Sequence, residues 1–259
     1  MHNGSSAKTS PLEKRKALVG VQLYSVRDQC KSDLPGTLAA LSKIGYTGIE
    51  FAGYYERSAA ELRQLLDGLG LATCGTHTPY ESILPTNLAA TIDFNQTLGN
   101  QFIIIPWMTG RTRQDWLEKA DLFNEVATRL KPYDMFVGYH AHEHDFKSID
   151  GESAWNIFFQ NTIPEVVMQL DTGNCLEGGA DPLKVLSNFP GRAASIHLQA
   201  HGGAPEAVIG EDKVDWRGVF DFCQTKGGTQ WYVVEHETSR DPIHTLTRSF
   251  AFLREKVAI

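Results

Sequence analysis

From residue 17 onward, short apolar runs alternate with amphipathic segments, and glycine or proline breaks separate them. "ALVGVQLY" (17–24) predicts a strand, and "LPGTLAALSKIG" (34–45) predicts a helix closed by glycine. The same alternation puts further strands at 46–52, 71–77, 101–107, 135–142, 165–171, 193–199 and 230–237. Helical patterns fall between them, at 58–70, 86–98, 113–131, 152–160, 182–188, 215–225 and 240–256. Strands such as "QFIIIPW" (101–107) are apolar throughout rather than alternating. A strand of that kind is covered on both faces, as in a parallel sheet whose connections are helices.

Eight strand–helix pairs in 259 residues predict a (β/α)8 TIM barrel, an α/β fold, at roughly 30 residues per unit. The alternative is a doubly wound open sheet, but no GxGxxG follows the first strand. The expected organisation is a flexible tail over 1–16 and one barrel domain over 17–259.

Barrel enzymes of this architecture do their chemistry where the strands finish. Polar residues at those positions are Tyr24, His77, Trp107, His140, His142, Asp171, His197 and Glu235. His140, Asp171, His197 and Glu235 follow one another at intervals of 31, 26 and 38 residues, each about one βα unit. Four ligand-type side chains ending four consecutive strands can converge on one point. A divalent cation there would compensate ionisable groups that are costly to bury alone. Imidazole with carboxylate suits Mn, Zn, Co or Fe; Mg is disfavoured by the imidazoles. His140 and His142 share a face while their strand lasts, so either is eligible as the ligand from that strand.

Composition narrows the function. The net charge of −7 gives no general attraction to phosphate backbones, so no nucleic-acid partner is expected. No apolar run approaches the ~20 residues that span a bilayer, so no membrane partner is expected either. Four cysteines, Cys30, Cys74, Cys175 and Cys223, are scattered without a CxxC and read as reduced thiols. With a polar N-terminus they indicate a cytoplasmic protein, an exported form being the alternative if a leader had been removed. A homo-oligomer is compatible with the sequence, which carries no readable interface.

In "VGVQLYSVRD" (19–28), "IEFAGYY" (49–55), "VGYHAHEHDF" (137–146), "QLDTGN" (169–174), "SIHLQ" (195–199), "IGEDKVDW" (209–216) and "YVVEHE" (232–237), the chain resembles the xylose isomerase-like barrel superfamily, specifically its sugar phosphate isomerase/epimerase family. The resemblance implies one divalent metal held by His140, Asp171, His197 and Glu235. It implies an isomerase or epimerase that acts on a keto-sugar or related polyol ketone through an enediolate. Where ketose 3-epimerases carry a ligating glutamate on the fifth strand, this chain has His140, which leaves His142 or Glu235 as the base. The family's His-Leu-Lys-Asp reads His197-Leu198-Gln199-Ala200, and loss of the lysine weakens the case for a phosphorylated substrate. The substrate-contacting set expected from strand ends and loops is Tyr24, His77, Trp107, Asp145, His201 and Glu211, with the loop "AHGGAPEAVIGEDK" as a lid. Alternatives are a lyase, either an inosose-type dehydratase or a 3-keto-glycoside-cleaving enzyme, and a non-catalytic sugar-binding barrel. An abasic-site endonuclease of the same superfamily would need more metal ligands than these strand ends supply.

Overall fold

The structure is a computed structural model that describes residues 17–256; the tail expected at 1–16 lies outside the described residues. Five strands come first: β1 (Leu18–Gln22), β2 (Gly48–Ala52), β3 (Ala72–His77), β4 (Phe102–Ile105) and β5 (Phe136–His140). A two-stranded hairpin follows, β6 (Ser148–Ile149) with β7 (Glu152–Ser153), and then β8 (Val167–Gln169), β9 (Ser195–Leu198) and β10 (Trp231–Val234). The eight long strands pair in parallel in the order β8-β5-β4-β3-β2-β1-β10-β9. The two ends of that order meet at a parallel bridge between Asp171 and His197. The His197 N–H donates to the Leu170 carbonyl at 2.9 Å, and the Met168 N–H to the Arg192 carbonyl at 2.9 Å, closing the barrel.

The helices alternate with the strands: α1 (Arg27–Ile44), α2 (Ala59–Leu69), α3 (Leu88–Leu98), α4 (Arg113–Leu130), α5 (Ala154–Gln160), α6 (Thr172–Glu177), α7 (Pro182–Asn188), α8 (Trp216–Phe222) and α9 (Pro242–Lys256). Their starts follow side-chain chemistry. Ser58 with Glu61, and Thr112 with Asp115, form capping boxes at α2 and α4. α1 begins earlier than its sequence pattern, but it kinks at Asp33 (φ −155°, ψ 85°). The Asp33 carboxylate accepts the Gly36 N–H at 2.9 Å, so the expected helix restarts there with Pro35 in its first turn. The short α6 and the β6–β7 hairpin were not anticipated: each is too brief to show a period. Among the described residues no helix is long and apolar enough to cross a membrane, and all four cysteines are free and buried.

Period-two alternation sorts each strand into two faces. Outward residues such as Val21, Ile49, Ile105, Tyr139 and Leu198 pack under the helices in the large core. Over β5, the Trp116, Phe123, Trp155 and Phe158 side chains of α4 and α5 pack together, with Phe123 and Phe158 edge-to-face at 4.9 Å. Truncating such a ring costs about 3–5 kcal/mol. Inward residues fill the barrel in layers. Its lower end is an apolar plug of Cys74, Phe102, Ile104, Val167, Trp231 and Val233. Gly48 admits the Trp231 indole, since a Cβ there would lie 2.4 Å from a ring carbon. One layer up, the inward residues become polar: Gln22, Glu50, Gln169 and Ser195, all completely buried. The site stands on that layer.

Candidate functional site

Above the polar layer, four side chains converge at the C-terminal ends of β5, β8, β9 and β10. His140, Asp171, His197 and Glu235 each present one donor atom, and all four atoms lie within 4.8 Å of one another. Each is buried. His140 is the last residue of β5 and His197 lies inside β9, while Asp171 and Glu235 sit just beyond β8 and β10. His77, at the end of β3, joins a second grouping with His140 and His197.

The orientation of each donor has a local cause. Asp171 is the N-cap of α6, its Oδ1 accepting the Asn174 N–H at 2.6 Å. Its other oxygen, Oδ2, is buried without any hydrogen-bond partner and lies 3.9 Å from His197 Nδ1. Glu235 Oε2 is 2.7 Å from His197 Nδ1 and 3.9 Å from His140 Nε2. Such spacings suit atoms that share a divalent ion with bonds of about 2.0–2.2 Å. An orphaned buried carboxylate oxygen needs an opposite charge. The residues therefore fit a cation.

The electrostatics of Asp171 and His140 agree, whereas His197 would have to give up the Nδ1 proton it shares with Glu235 to bind a cation. Burial, reinforced by the Glu235 carboxylate, pushes the Asp171 carboxyl well above the usual range, so ionisation is costly without a positive partner. Burial and the neighbouring imidazoles hold His140 well below the usual range, so it is neutral. Burial works against the charged form of His197, but the Glu50 and Glu235 carboxylates outweigh it and raise the imidazole to about 10.

The structure brings some of the other expected residues to this mouth and turns others away. His142 lies beside His140, with ring centroids 4.9 Å apart, and its Nδ1 has no partner. Burial pushes it down to about 4, opposed by the Glu235 carboxylate, so it is neutral near pH 7. Trp107 is half exposed and packs edge-on against His142 at 4.7 Å. Tyr24 is exposed, with the Arg27 guanidinium over its ring at 4.4 Å. His201 lines an open cavity of about 540 Å³.

Asp145 is a correction. Far from facing a substrate, it is completely buried. One oxygen accepts the Tyr139 hydroxyl at 2.7 Å and the other the His142 N–H at 2.8 Å. The chain turns in a 3-10 turn at Glu143–Phe146 and folds the carboxylate back under the loop. Glu211 is also taken up elsewhere, in an ion pair with Arg248.

The cavity is lined by residues that follow β5, β8, β9 and β10, adjoining the cluster residues in sequence but including none of the four. Its wall carries Glu143, Glu177, Glu206 and Glu237, and among the described residues neither lysine nor arginine lines it. Residues 200–204, 206 and 207 of the expected lid form one side.

Three functional-layer residues escaped the strand-end reading: Glu50, Gln169 and Gln22. Glu50 Oε2 accepts from His197 Nε2 at 2.5 Å and Gln22 Nε2 at 2.8 Å, with His77 Nε2 at 3.1 Å. Gln169 Nε2 donates to Glu50 Oε1 at 2.7 Å. Burial raises the Glu50 carboxyl, but the imidazoles of His77 and His197 outweigh it and hold it well below the usual range. The available signal was a lone acid inside an apolar strand, "GIEFA", which a parallel sheet tolerates only when partners await it.

The chain is similar to several known proteins. A curated "Rhizopine catabolism protein MocC" of Rhizobium meliloti is 22% identical over 250 residues, 81% of this chain and 76% of that protein. An inosose dehydratase of Geobacillus thermodenitrificans is 22% identical over 264 residues, 84% of this chain and 88% of that protein. Among solved structures, a sugar phosphate isomerase/epimerase from Parabacteroides distasonis superposes with a TM-score of 0.83 at 22% identity, covering 98% of this chain and 99% of that one. The profile of the xylose isomerase-like TIM barrel matches residues 38–256, and the chain belongs to that family.

Proposed function

We propose that the chain is a divalent-metal-dependent isomerase or epimerase of a keto-sugar or related polyol ketone, working through an enediolate. The observation that carries this reading is the convergence of His140, Asp171, His197 and Glu235 within 4.8 Å, with one buried carboxylate oxygen left without a partner. His140 Nε2, Asp171 Oδ2, His197 Nδ1 and Glu235 Oε2 would hold the cation, of the Mn, Zn, Co or Fe type. Bound there, it supplies Lewis-acid polarisation of a carbonyl and its neighbouring hydroxyl.

The chain's own residues do the rest. His142, neutral and beside the cluster, accepts the proton of the α-carbon as the C–H electron pair moves into the enediolate. After exchange with solvent, His142 returns a proton to the adjacent carbon for isomerisation; epimerisation needs delivery from the opposite face by a second group, for which Glu235 would serve. Glu235 is the rival acceptor. Trp107 offers an apolar surface over His142 for a sugar ring and limits water there. Four wall carboxylates, with no lysine or arginine on the wall among the described residues, favour an unphosphorylated substrate.

A second reading is β-elimination, and the named inosose dehydratase relative favours it. It uses the same cation and base but expels a β-hydroxyl as water. The test is incubation of the metal-loaded chain in D2O with ketoses, inososes and 3-keto-glycosides. Exchange of the α-hydrogen without loss of a group supports the first reading, and release of water supports the second. Binding without exchange would point to a non-catalytic sugar-binding barrel, and exchange that survives chelation would overturn both enzymatic readings.

A further inference from the structure

We infer that Glu50 is a positioning residue that selects, for two of the proposed ligands, which ring nitrogen faces the cation. This rests on the metal reading above and deepens it. One group in the layer has an unambiguous role: the ionised Glu50 carboxylate only accepts hydrogen bonds.

Gln169 Nε2 lies 2.7 Å from Glu50 Oε1 and 2.9 Å from Ser195 Oγ. The end of the amide that meets the carboxylate must be its NH2, so the amide cannot be flipped. Its carbonyl end therefore faces His77 Nε2 at 2.9 Å and His140 Nδ1 at 3.2 Å. A carbonyl only accepts, so both nitrogens carry hydrogen. His140 is then left with a bare lone pair on Nε2, the atom 3.9 Å from Glu235 Oε2.

The same carboxylate acts directly on His197. Glu50 Oε2 accepts from His197 Nε2 at 2.5 Å, which turns Nδ1 toward Glu235 and Asp171. One buried acid thus orients one ring directly and the other through a single amide. Room for it is provided on β3: a Cβ at Gly75 would lie 2.3 Å from Glu50 Oε1. Carboxylates behind ligating imidazoles fix ring orientation, and losing them typically lowers metal affinity roughly 10- to 100-fold.

The experiment titrates Co2+ into the full chain and reads its visible d–d absorption in the wild type, Glu50→Gln and Gln22→Met. Gln22 also donates to Glu50 but touches neither ring of the cluster. The expected result is a roughly 10- to 100-fold weaker Co2+ affinity and an altered band for Glu50→Gln, with Gln22→Met within about threefold of wild type by the same reasoning. Equal weakening in both variants, or none in a folded Glu50→Gln, overturns the inference. A wild type that takes up no Co2+ overturns the metal reading instead. Should Glu50→Gln fail to fold, long-range 1H–15N correlation of the wild-type histidines decides. His140 protonated at Nδ1 supports the inference, and His140 protonated at Nε2 overturns it.

Discussion

Asp171 Oδ2 and His197 Nδ1 face each other at 3.9 Å across the seam where the barrel closes, and their backbones form the bridge that closes it. The Asp171 oxygen has no hydrogen-bond partner. Asp171→Asn keeps an oxygen to cap α6 and removes the charge. The metal-free variant is expected to be at least as stable as wild type, because burial penalises ionisation of the Asp171 carboxyl and an amide carries no such penalty. Its affinity for Mn2+ or Co2+ should fall at least tenfold. Parallel thermal melts in chelator and metal titrations check both outcomes.

Cation loading itself is expected to stabilise the chain. At one hundred times its Kd, a ligand that binds only the folded state adds about 2.7 kcal/mol. For a domain of this size that raises Tm by roughly 5–10 °C. Scanning calorimetry with Mn2+, Co2+ or Zn2+ against a chelated control measures it, and identical melts would contradict the site.

His142→Gln separates proton transfer from metal holding. Loss of a general base lowers kcat by about 10²–10⁴, while Co2+ affinity should stay near wild type. Deuterium exchange at full rate in this variant would transfer the base's role to Glu235.

Acid stability should depend on His236, which is buried and bonded through Nε2 to Ser249 Oγ at 2.9 Å. Burial pushes it from 6.5 down to about 4. Between those values the unfolded chain binds the proton and the folded chain does not, so stability falls as pH drops from about 6.5 to 4. The loss is up to about 3 kcal/mol. His236→Gln keeps a donor for Ser249 and should flatten that slope in chelator-treated melts taken between pH 7 and 4.

Phosphorylated ketoses are expected to be poorer ligands than their unphosphorylated counterparts, by at least about tenfold, because like-charge juxtaposition costs several kcal/mol. The wall that produces the discrimination holds Glu143, Glu177, Glu206 and Glu237. Competition binding with matched pairs reads it, and tighter binding of the phosphate would contradict this account.

What was legible in the chain follows from how each residue is held. The eight strands announce themselves because apolar runs buried on both faces leave an unbroken signal. The convergence of His140, Asp171, His197 and Glu235 could be read because strand ends of a barrel share one rim. Glu50 and Gln169 were missed because they lie within strands, where their roles depend on partners from other strands: His197 and Gln22 for Glu50, Ser195 and His77 for Gln169. Asp145 was misplaced for a related reason. Its fate is decided by a local turn and by a tyrosine on the opposite face of β5. Glu211 finds Arg248 through tertiary packing that no local spacing reveals.

The bond from Tyr139 to Asp145 links the two sides of β5. Tyr139 is wedged among Trp116, Trp155 and Phe158 outside the barrel, and Asp145 in turn grips the backbone of His142 inside its mouth. The outer aromatic packing is therefore a lever arm with its tip at His142, the proposed proton carrier. Tyr139→Phe, or a cavity opened at Phe158, would shift the reach of that imidazole without altering any atom proposed to meet a substrate. The reach of His142 would thus be tunable from rings buried behind the barrel wall.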